Sequence, residues 1–350
     1  MNIVNYLKKT YQTMNTTMKH FVAVALVALA ATTAQAHSWR INNDVTKAPD
    51  FIDLNAAMAS ENVADGDTLY LDAGANLSAE QNVTKQVTII GVGYDATLPY
   101  GFSTISGAFN LKKAGIKAEG LNITSTTTIA ADYVTLERCR TYRIIASGTC
   151  QYATIRQCYA RCDQAGGTIV GHGKTDTRSA YWTIENCIII KTNYSDAAIY
   201  RLYSAVIRNN LIQNHVSYSN YCLNELGNAS VSNNIILDTG DRNYCIGSID
   251  GQFVNNVVGE DYNAETNRVT GSTKTDVVYT GDYESYTLVE DSPAKNYGTD
   301  GKDCGIFGGL YPYVKGGLPQ GHPYYTKAVI SPRAENDKVN VSLKIKMQDE

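Results

Sequence analysis

The sequence has no apolar run after residue 36 that is long enough to cross a membrane, and it has no cluster of basic residues. A membrane-spanning helix needs about 20 consecutive apolar residues. The formal net charge is −4, whereas neutralising the phosphates of DNA or RNA requires clustered Lys and Arg. The composition therefore predicts neither a membrane span nor a nucleic-acid partner.

Three patterns that often mark a metal or catalytic site are also missing. Cys158 and Cys162 have no matching Cys or His pair that would complete a set of zinc ligands, and no acids cluster at the spacing of Ca²⁺ ligands. The paired aspartates that would serve as the acid and the base of a glycoside hydrolase are absent as well. We therefore expect no cofactor, and we consider Ca²⁺ only for a lyase activity.

The first 36 residues have the organisation of a secretory signal peptide. Lys19 precedes an apolar run at 21–31, and Ala34-Gln-Ala36 is a small-residue cleavage motif. The next residue is His37 rather than Cys, so no lipid anchor is predicted. We expect the mature protein to be exported to the periplasm, the cell surface or the medium.

A five-residue motif recurs along the middle of the chain. Its six clearest copies end at Cys139, Cys158, Cys187, Asn210, Asn234 and Asn256. The regular recurrence of a motif in short β-rich segments is typical of a solenoid in which each unit buries its apolar face against its neighbours. Two weaker copies lie at 86–91 and 115–120. Because the Leu spacing of leucine-rich repeats is absent, we predict an all-β parallel β-helix of about eight rungs.

Residues at equal positions in the copies should stack at the strand spacing of about 4.8 Å. For Cys139, Cys158 and Cys187 this predicts either a ladder of buried thiols or disulfide bridges, and the ladder is favoured. The repeated asparagines predict a ladder of side-chain amides that satisfies backbone groups at a bend. They are Asn186, Asn209, Asn233 and Asn255, with Asn210, Asn234 and Asn256 beside three of them.

The regions on either side of the repeats have a different pattern. Residues 49–62 predict a short amphipathic helix, which would cap the open end of the solenoid. The repeat fades after about residue 262, and strand-like alternation returns at 339–346. The predicted divisions are a signal peptide at 1–36, a parallel β-helix with its N-terminal cap at 37–312, and a short β-rich tail at 313–350.

Several segments carry a family resemblance. They are the predicted cap with Gly66–Leu71, the Asn-containing repeats, Ser292–Gly298, Asp303–Gly309, Tyr311-Pro-Tyr313 and Gly317-Leu-Pro319. Together these segments resemble the pectin-lyase-like superfamily of right-handed parallel β-helix proteins, and the closing part is similar to an exported bacterial subgroup of unassigned function. The resemblance covers roughly residues 40–320. It implies the fold but no single activity, because the superfamily includes lyases, hydrolases, esterases, epimerases, adhesins and tailspikes.

The candidate site residues lie in the middle repeats. Gly171-His172-Gly173 resembles a segment found beside the active site of polygalacturonases, and alignment of the repeats places Arg201 over Glu225. A lyase needs a base beside a uronate carboxylate and a cation that neutralises it, and related β-helix lyases use Arg or Lys as the base. The candidate catalytic residues are His172, Lys174 and Arg201. The candidate substrate-binding residues are Tyr200, Glu225, His215, Tyr218, Tyr221, Arg242 and Tyr244.

Two functions are consistent with these features. The first is an exported protein that presents a Tyr-rich face to a polysaccharide or another surface ligand without catalysis. The second is a pectate-lyase-like polysaccharide lyase that acts on a uronate-containing glycan. The chain has 25 Tyr but only 6 Phe and 2 Trp, and Tyr suits both sugar stacking and exposed strands. The missing carboxylate pair and acid cluster favour binding.

Overall fold

The computed structural model describes most of the chain between residues 36 and 318, together with two later strands. The described ranges are 36–96, 98, 100–173, 178–193, 196–215, 221–238, 246–259, 264–270, 278–280, 287–318, 324–330 and 341–346. The predicted signal peptide thus lies outside the described residues, apart from Ala36. The described structure from Ser38 onward belongs to one compact unit.

Nearly all of the regular structure is β-strand. The strands are β1 (Ser38–Ile41), β2 (Thr68–Leu71), β3 (Asn76–Leu77), β4 (Gln81–Val83), β5 (Thr88–Ile90), β6 (Thr104–Ile105), β7 (Phe109–Leu111), β8 (Lys117–Glu119), β9 (Asn122–Ile129), β10 (Thr135–Glu137), β11 (Arg140–Ala146), β12 (Thr154–Arg156), β13 (Tyr159–Cys162), β14 (Ile169–Val170), β15 (Thr183–Glu185), β16 (Ile188–Lys191), β17 (Ile199–Tyr203), β18 (Val206–Arg208), β19 (Leu211–Asn214), β20 (Leu223–Ser232), β21 (Ile235–Asp238), β22 (Ile249–Val254), β23 (Val257–Val258), β24 (Arg268–Val269), β25 (Tyr279–Thr280), β26 (Thr287–Leu288), β27 (Tyr324–Ile330) and β28 (Val341–Lys346). The helices are α1 (Leu54–Ala59) and two 3₁₀ turns at Val45–Lys47 and Lys315–Gly317.

Strands β1 to β24 form one parallel sheet arranged in three stacks, which we call A, B and C. Stack A contains β1, β2, β5, β8, β10, β12, β15, β18, the second half of β20, and β22. Stack B contains β3, β6, β13, β16, β19, β21, β23, β24 and the first halves of β9 and β11. Stack C contains β4, β7, β14, β17, the second halves of β9 and β11, and the first half of β20. The chain visits the stacks in rotation, which is consistent with a β-helix solenoid.

The predicted repeats stack in register. In stack A, Leu136 pairs with Ile155, which pairs with Ile184, and the series continues through equivalent apolar residues to Phe253. These side chains are buried in the main hydrophobic core. The eight predicted copies occupy successive positions of stack A, and β1 and β2 precede them. The repeat alignment made from the sequence is therefore confirmed.

The asparagine ladder is confirmed for Asn210, Asn234 and Asn256, and Asn267 extends it by one residue. The other predicted members do not form a ladder, because the side chains of Asn186, Asn233 and Asn255 donate instead to residues 297–308. The backbone N–H of Asn210 donates to Asn234 Oδ1 at 2.9 Å, and that of Asn234 donates to Asn256 Oδ1 at 3.0 Å. Asn256 continues the series to Asn267 at 2.9 Å. The preceding residues, Asn209 among them, have positive φ angles, a conformation that Asn tolerates better than most residues.

The cysteine ladder is continuous with the asparagine ladder. Cys139, Cys158 and Cys187 are buried and free, and no described cysteine forms a disulfide. The Cys187 thiol donates to the Ile155 carbonyl at 3.4 Å, and the Cys158 N–H approaches the Cys187 sulfur at 3.4 Å. Burial raises the pKa values of Cys139 and Cys158. The interpretation as buried thiols is therefore confirmed for these residues, while Cys245 lies outside the described residues.

Residues 287–318, which we call the strap, cross the bends between stacks A and B. Asn255 donates to the Tyr297 carbonyl at 2.9 Å, and Asn186 donates to the Ile306 carbonyl at 2.9 Å. Near the other end of the strap, the Tyr313 hydroxyl lies 2.8 Å from that of Tyr94. Residues of the strap, such as Ile306, also form a second apolar cluster with the outer side chains of stack B. Strands β16 and β19 of stack B are consequently buried on both faces.

The ends of the solenoid have simpler structure. Helix α1 lies within the predicted range 49–62, and the Asp53 carboxylate accepts a hydrogen bond from the Ala56 N–H at 2.7 Å. Its capping role stays a prediction. Strands β27 and β28 pair antiparallel as a separate two-stranded sheet. Among the residues that the structure describes, no helix has the length and apolar character needed to cross a membrane.

Replacing Asn234 by Ala should lower the free energy of unfolding by about 1–3 kcal/mol, because it leaves buried backbone groups without partners. The control is Asn110→Ala, which removes hydrogen bonds that are exposed or only partly buried and should cost less than about 1 kcal/mol. Urea denaturation of both variants measures the difference. Equal losses of stability would contradict the structural role of the ladder.

Candidate functional site

A cleft of about 360 Å³ opens on the outer side of stack C. Its described lining residues are Gly173, Arg178, Arg201, Leu202, Glu225, Leu226, Gly227, Ser248 and Asp250. They come from the loop after β14, from β17 and β20, and from the start of β22. This volume is at the lower end of the range found for small-molecule sites, about 300–1,000 Å³.

Arg201, Glu225 and Tyr200 form one network at the cleft. Arg201 Nε lies 3.2 Å from Glu225 Oε2, and the Tyr200 hydroxyl donates to Glu225 Oε1 at 2.8 Å. The Arg201 guanidinium carbon also lies 4.4 Å from the Tyr200 ring centroid. The charged side chains remain accessible, with exposures of 33% for Arg201 and 39% for Glu225. The network therefore presents oriented hydrogen-bonding groups to solvent.

The register of stack C positions this network. Tyr200 pairs with Asn224, as the sequence alignment predicted, and Leu202 pairs with Leu226. Between these pairs, Arg201 and Glu225 have φ angles of 58° and 50°. Many bends of this solenoid have positive φ angles, so the backbone conformation alone does not mark a functional residue.

Two glycines that do not line the cleft pack closely against β17 and β20. An ideal Cβ on Gly171 would lie 1.9 Å from the Arg201 carbonyl oxygen, and one on Gly247 would lie 2.3 Å from Asn224 Oδ1. Neither position can accept a larger residue without movement of the backbone or of a neighbouring side chain. The close approach of Gly171 therefore depends on the absence of a side chain there.

Arg178 and Asp250 line the same cleft but were not predicted from the sequence. The guanidinium carbon of Arg178 lies 5.0 Å from the Tyr203 ring centroid, and no salt bridge joins Arg178 to a carboxylate among the described residues. Asp250 lies next to stack C because Ile249 pairs with Leu226 of β20. This pairing precedes the repeated motif that ends at Asn256. Arg178 follows a segment outside the described residues, and no repeat marks it.

Other predicted site residues lie apart from this network or cannot be placed. His172 is exposed next to Gly173, and its backbone N–H donates to Ser179 Oγ at 2.9 Å. His215 lies next to stack B, where burial and the positive charge of Arg161 lower its pKa. Tyr221 is half-buried and does not line the cleft. Lys174, Tyr218, Arg242 and Tyr244 lie outside the described residues.

An exposed stack of tyrosines lies at the bends between stacks C and A. The ring centroids of Tyr133 and Tyr152 are 4.9 Å apart, and those of Tyr152 and Tyr181 are 5.0 Å apart. The N–H of Tyr181 donates to the Tyr203 carbonyl, and at the next bend the N–H of Ser204 donates to the Gly227 carbonyl. The stack therefore ends two bends before Gly227, which lines the cleft. Its rings cover one another, so their edges and the end faces contact solvent.

Two comparisons with known proteins find no match. No model of a protein family matches the sequence, and a search of curated proteins finds no similar chain.

Among the described residues, no group of three or more His, Cys, Asp or Glu side chains is arranged to hold a metal ion.

Replacing Arg201 by Ala should lower the free energy of unfolding by no more than about 1 kcal/mol, because an exposed ion pair contributes little. Arg201→Gly is the matched control for the backbone, since Gly adopts a positive φ without the steric cost of a Cβ, which is about 1–2 kcal/mol. We therefore expect the Gly variant to be at least as stable as the Ala variant in chemical denaturation. A less stable Gly variant would contradict the bend geometry.

Proposed function

We propose that this chain is an exported, right-handed parallel β-helix protein that binds a polysaccharide without cleaving it. The cleft around Arg201 and Glu225 would hold a short stretch of the glycan, and the neighbouring Tyr stack would extend the contact surface. The observation that carries the proposal is the ion-paired network of Arg201, Glu225 and Tyr200 at the wall of an open cleft.

The chemistry of the cleft suits sugar hydroxyl groups. A carboxylate accepts hydrogen bonds, whereas a guanidinium donates several in a fixed geometry. Glu225 and Asp250 supply the acceptors, and Arg178 and Arg201 supply the donors. Tyr181 adds an aromatic surface that is 47% exposed, and the apolar face of a sugar packs well on such a ring.

The protonation state of the Arg201 guanidinium favours a role in binding over a role as a catalytic base. Partial desolvation lowers its pKa, but the hydrogen bond to Glu225 and the negative charge nearby outweigh this effect, so the pKa is raised above its ordinary value. A general base must accept a proton, and a guanidinium held in this state is already protonated. Arg201 therefore acts in the proposal as a hydrogen-bond donor.

The alternative function is a polysaccharide lyase of the pectate-lyase type. The lyase hypothesis has Lys174 or Arg201 as the base. Because the Arg201 guanidinium is protonated, Lys174 would serve as the base and Arg201 would neutralise the uronate carboxylate. The position of His172 next to Gly173 of the cleft supports this alternative. Ca²⁺ would be considered only here.

The resemblance to the pectin-lyase-like superfamily, the export signal and the capping helix belong to the same proposal. The sheet of parallel strands in three stacks supports the resemblance. The contact of α1 with β4 near the start of the solenoid supports the capping role, because an uncovered first rung would expose apolar core and strand edges.

The test is the binding of the full chain to a panel of neutral and uronate-containing polysaccharides, measured by affinity electrophoresis. The double variant Arg201→Ala with Glu225→Gln should bind about tenfold more weakly, which corresponds to a loss of about 1.4 kcal/mol. Arg40→Ala is the control, because Arg40 is also ion-paired and exposed but lies in β1.

The ultraviolet absorbance of an unsaturated sugar product, followed in the same samples, separates the two functions. We expect no rise in this absorbance with any polysaccharide. A rise that disappears in Lys174→Ala would overturn the proposal in favour of the lyase, and unaltered binding by the double variant would show that the cleft around Arg201 does not bind the glycan.

A further inference from the structure

A second cleft, of about 340 Å³, lies on the outer side of stack B and belongs to different turns of the solenoid. Its lining includes Asn122, Thr124, Arg140, Tyr142, Tyr159 and Arg161, with Thr141, Ile123 and Asp163. The first cleft is formed by β17, β20 and β22, whereas this one is formed by β9, β11 and β13. The two clefts share no residue.

Arginines and tyrosines alternate across two neighbouring strands of this cleft. Arg140 of β11 pairs with Tyr159 of β13, and the Arg140 guanidinium carbon lies 5.6 Å from the Tyr159 ring centroid. Tyr142 and Arg161 each follow two residues later in the same strands. Because alternate residues of a strand point to the same face, Arg161 lies on the same side of β13 as Tyr159. Tyr142 lies at the bend where β11 passes from stack B to stack C.

The positive charges of this cleft outnumber the negative ones. Arg140 and Arg161 are both exposed, and Asp163 is the acidic side chain in the described lining. Asp163 is already engaged, because the Tyr142 hydroxyl donates to its Oδ1 at 2.8 Å. No salt bridge involves Arg140 among the described residues. A surplus of cations in a chain of net charge −4 points to an anionic ligand.

The outer surface of stack B changes character at the next turn. Ile188 and Ile190, which follow Tyr159 and Arg161 in the register, are apolar and belong to the cluster covered by the strap. At Arg140 and Arg161 the surface is instead charged and exposed. Tyr159 is buried and belongs to the covered cluster, whereas Arg140 and Arg161 remain exposed to solvent beside it.

We infer that this second cleft binds the carboxylate of a uronic acid residue in an acidic glycan. A guanidinium donates two parallel hydrogen bonds to a carboxylate, which gives both strength and orientation. Asn122 and Thr124 add polar groups for the sugar hydroxyls, and Tyr142 adds an aromatic ring beside them. This inference deepens the proposed glycan binding and rests on it for the class of ligand, but it uses a separate set of residues.

The experiment is a calorimetric titration of the full chain with a uronic acid oligosaccharide. A neutral oligosaccharide of the same length and inorganic sulfate are titrated in parallel. The double variant Arg140→Gln with Arg161→Gln should bind the uronate oligosaccharide at this cleft at least about tenfold more weakly. Arg40→Gln, which removes an exposed arginine of β1 that lines neither cleft, should retain that binding to within about threefold. Thermal unfolding of each variant checks that it is folded.

Arg178→Gln, in the first cleft, separates this inference from the proposed function. Unaltered uronate binding by the Arg140 and Arg161 variant would overturn the claim that the second cleft binds uronate, whatever the effect of Arg178→Gln. Equal affinity for the neutral oligosaccharide, or full competition by sulfate at equal concentration, would also overturn it, because either result removes the preference for a uronate. If neither Arg178→Gln nor the Arg201 double variant changes the binding of any glycan, glycan binding at the first cleft is excluded. Uronate binding at the second cleft is then decided by its own titration.

Discussion

The structure depends on a single column of buried side chains at the bends between stacks A and B. Each asparagine of this column accepts, through its Oδ1, a hydrogen bond from the backbone N–H of the equivalent residue one turn earlier. Its Nδ2 also donates to a strand carbonyl, as Asn234 does to Ile207. A buried backbone group without a partner is costly, so this column holds each turn in register with the next.

The register explains how remote parts of the sequence meet at the two clefts. Arg201 and Glu225 are adjacent because Tyr200 pairs with Asn224, and Arg140 lies against Tyr159 because the two residues pair directly. The strap is anchored to the same column of bends, since Asn186 and Asn255 bind its carbonyls. It covers stack B where that stack is apolar, whereas Arg140 and Arg161 of the same stack remain exposed.

The sequence predicted the parts of the structure that repeat. The copies from Cys139 to Asn256 identified stack A, the bend ladder and the position of Arg201 over Glu225, because a solenoid converts sequence period into spatial contact. Asn267 was missed because it follows Asn256 by 11 residues, a spacing outside the repeat. Arg178 and the docking of the strap were missed for a related reason: both depend on irregular segments whose partners lie far along the chain. The Tyr142 contact with Asp163 needed side-chain geometry.

Amide hydrogen exchange tests the central claim, that the bend column holds the turns in register, most directly. The account predicts that the backbone N–H groups of Cys187, Asn210, Asn234 and Asn256 exchange as slowly as those of the neighbouring strands, since each is buried and bonded to an Asn side chain. It also predicts that the protection of Asn210 falls in Asn234→Ala. Exchange at these four amides as fast as in an unstructured peptide would contradict the account.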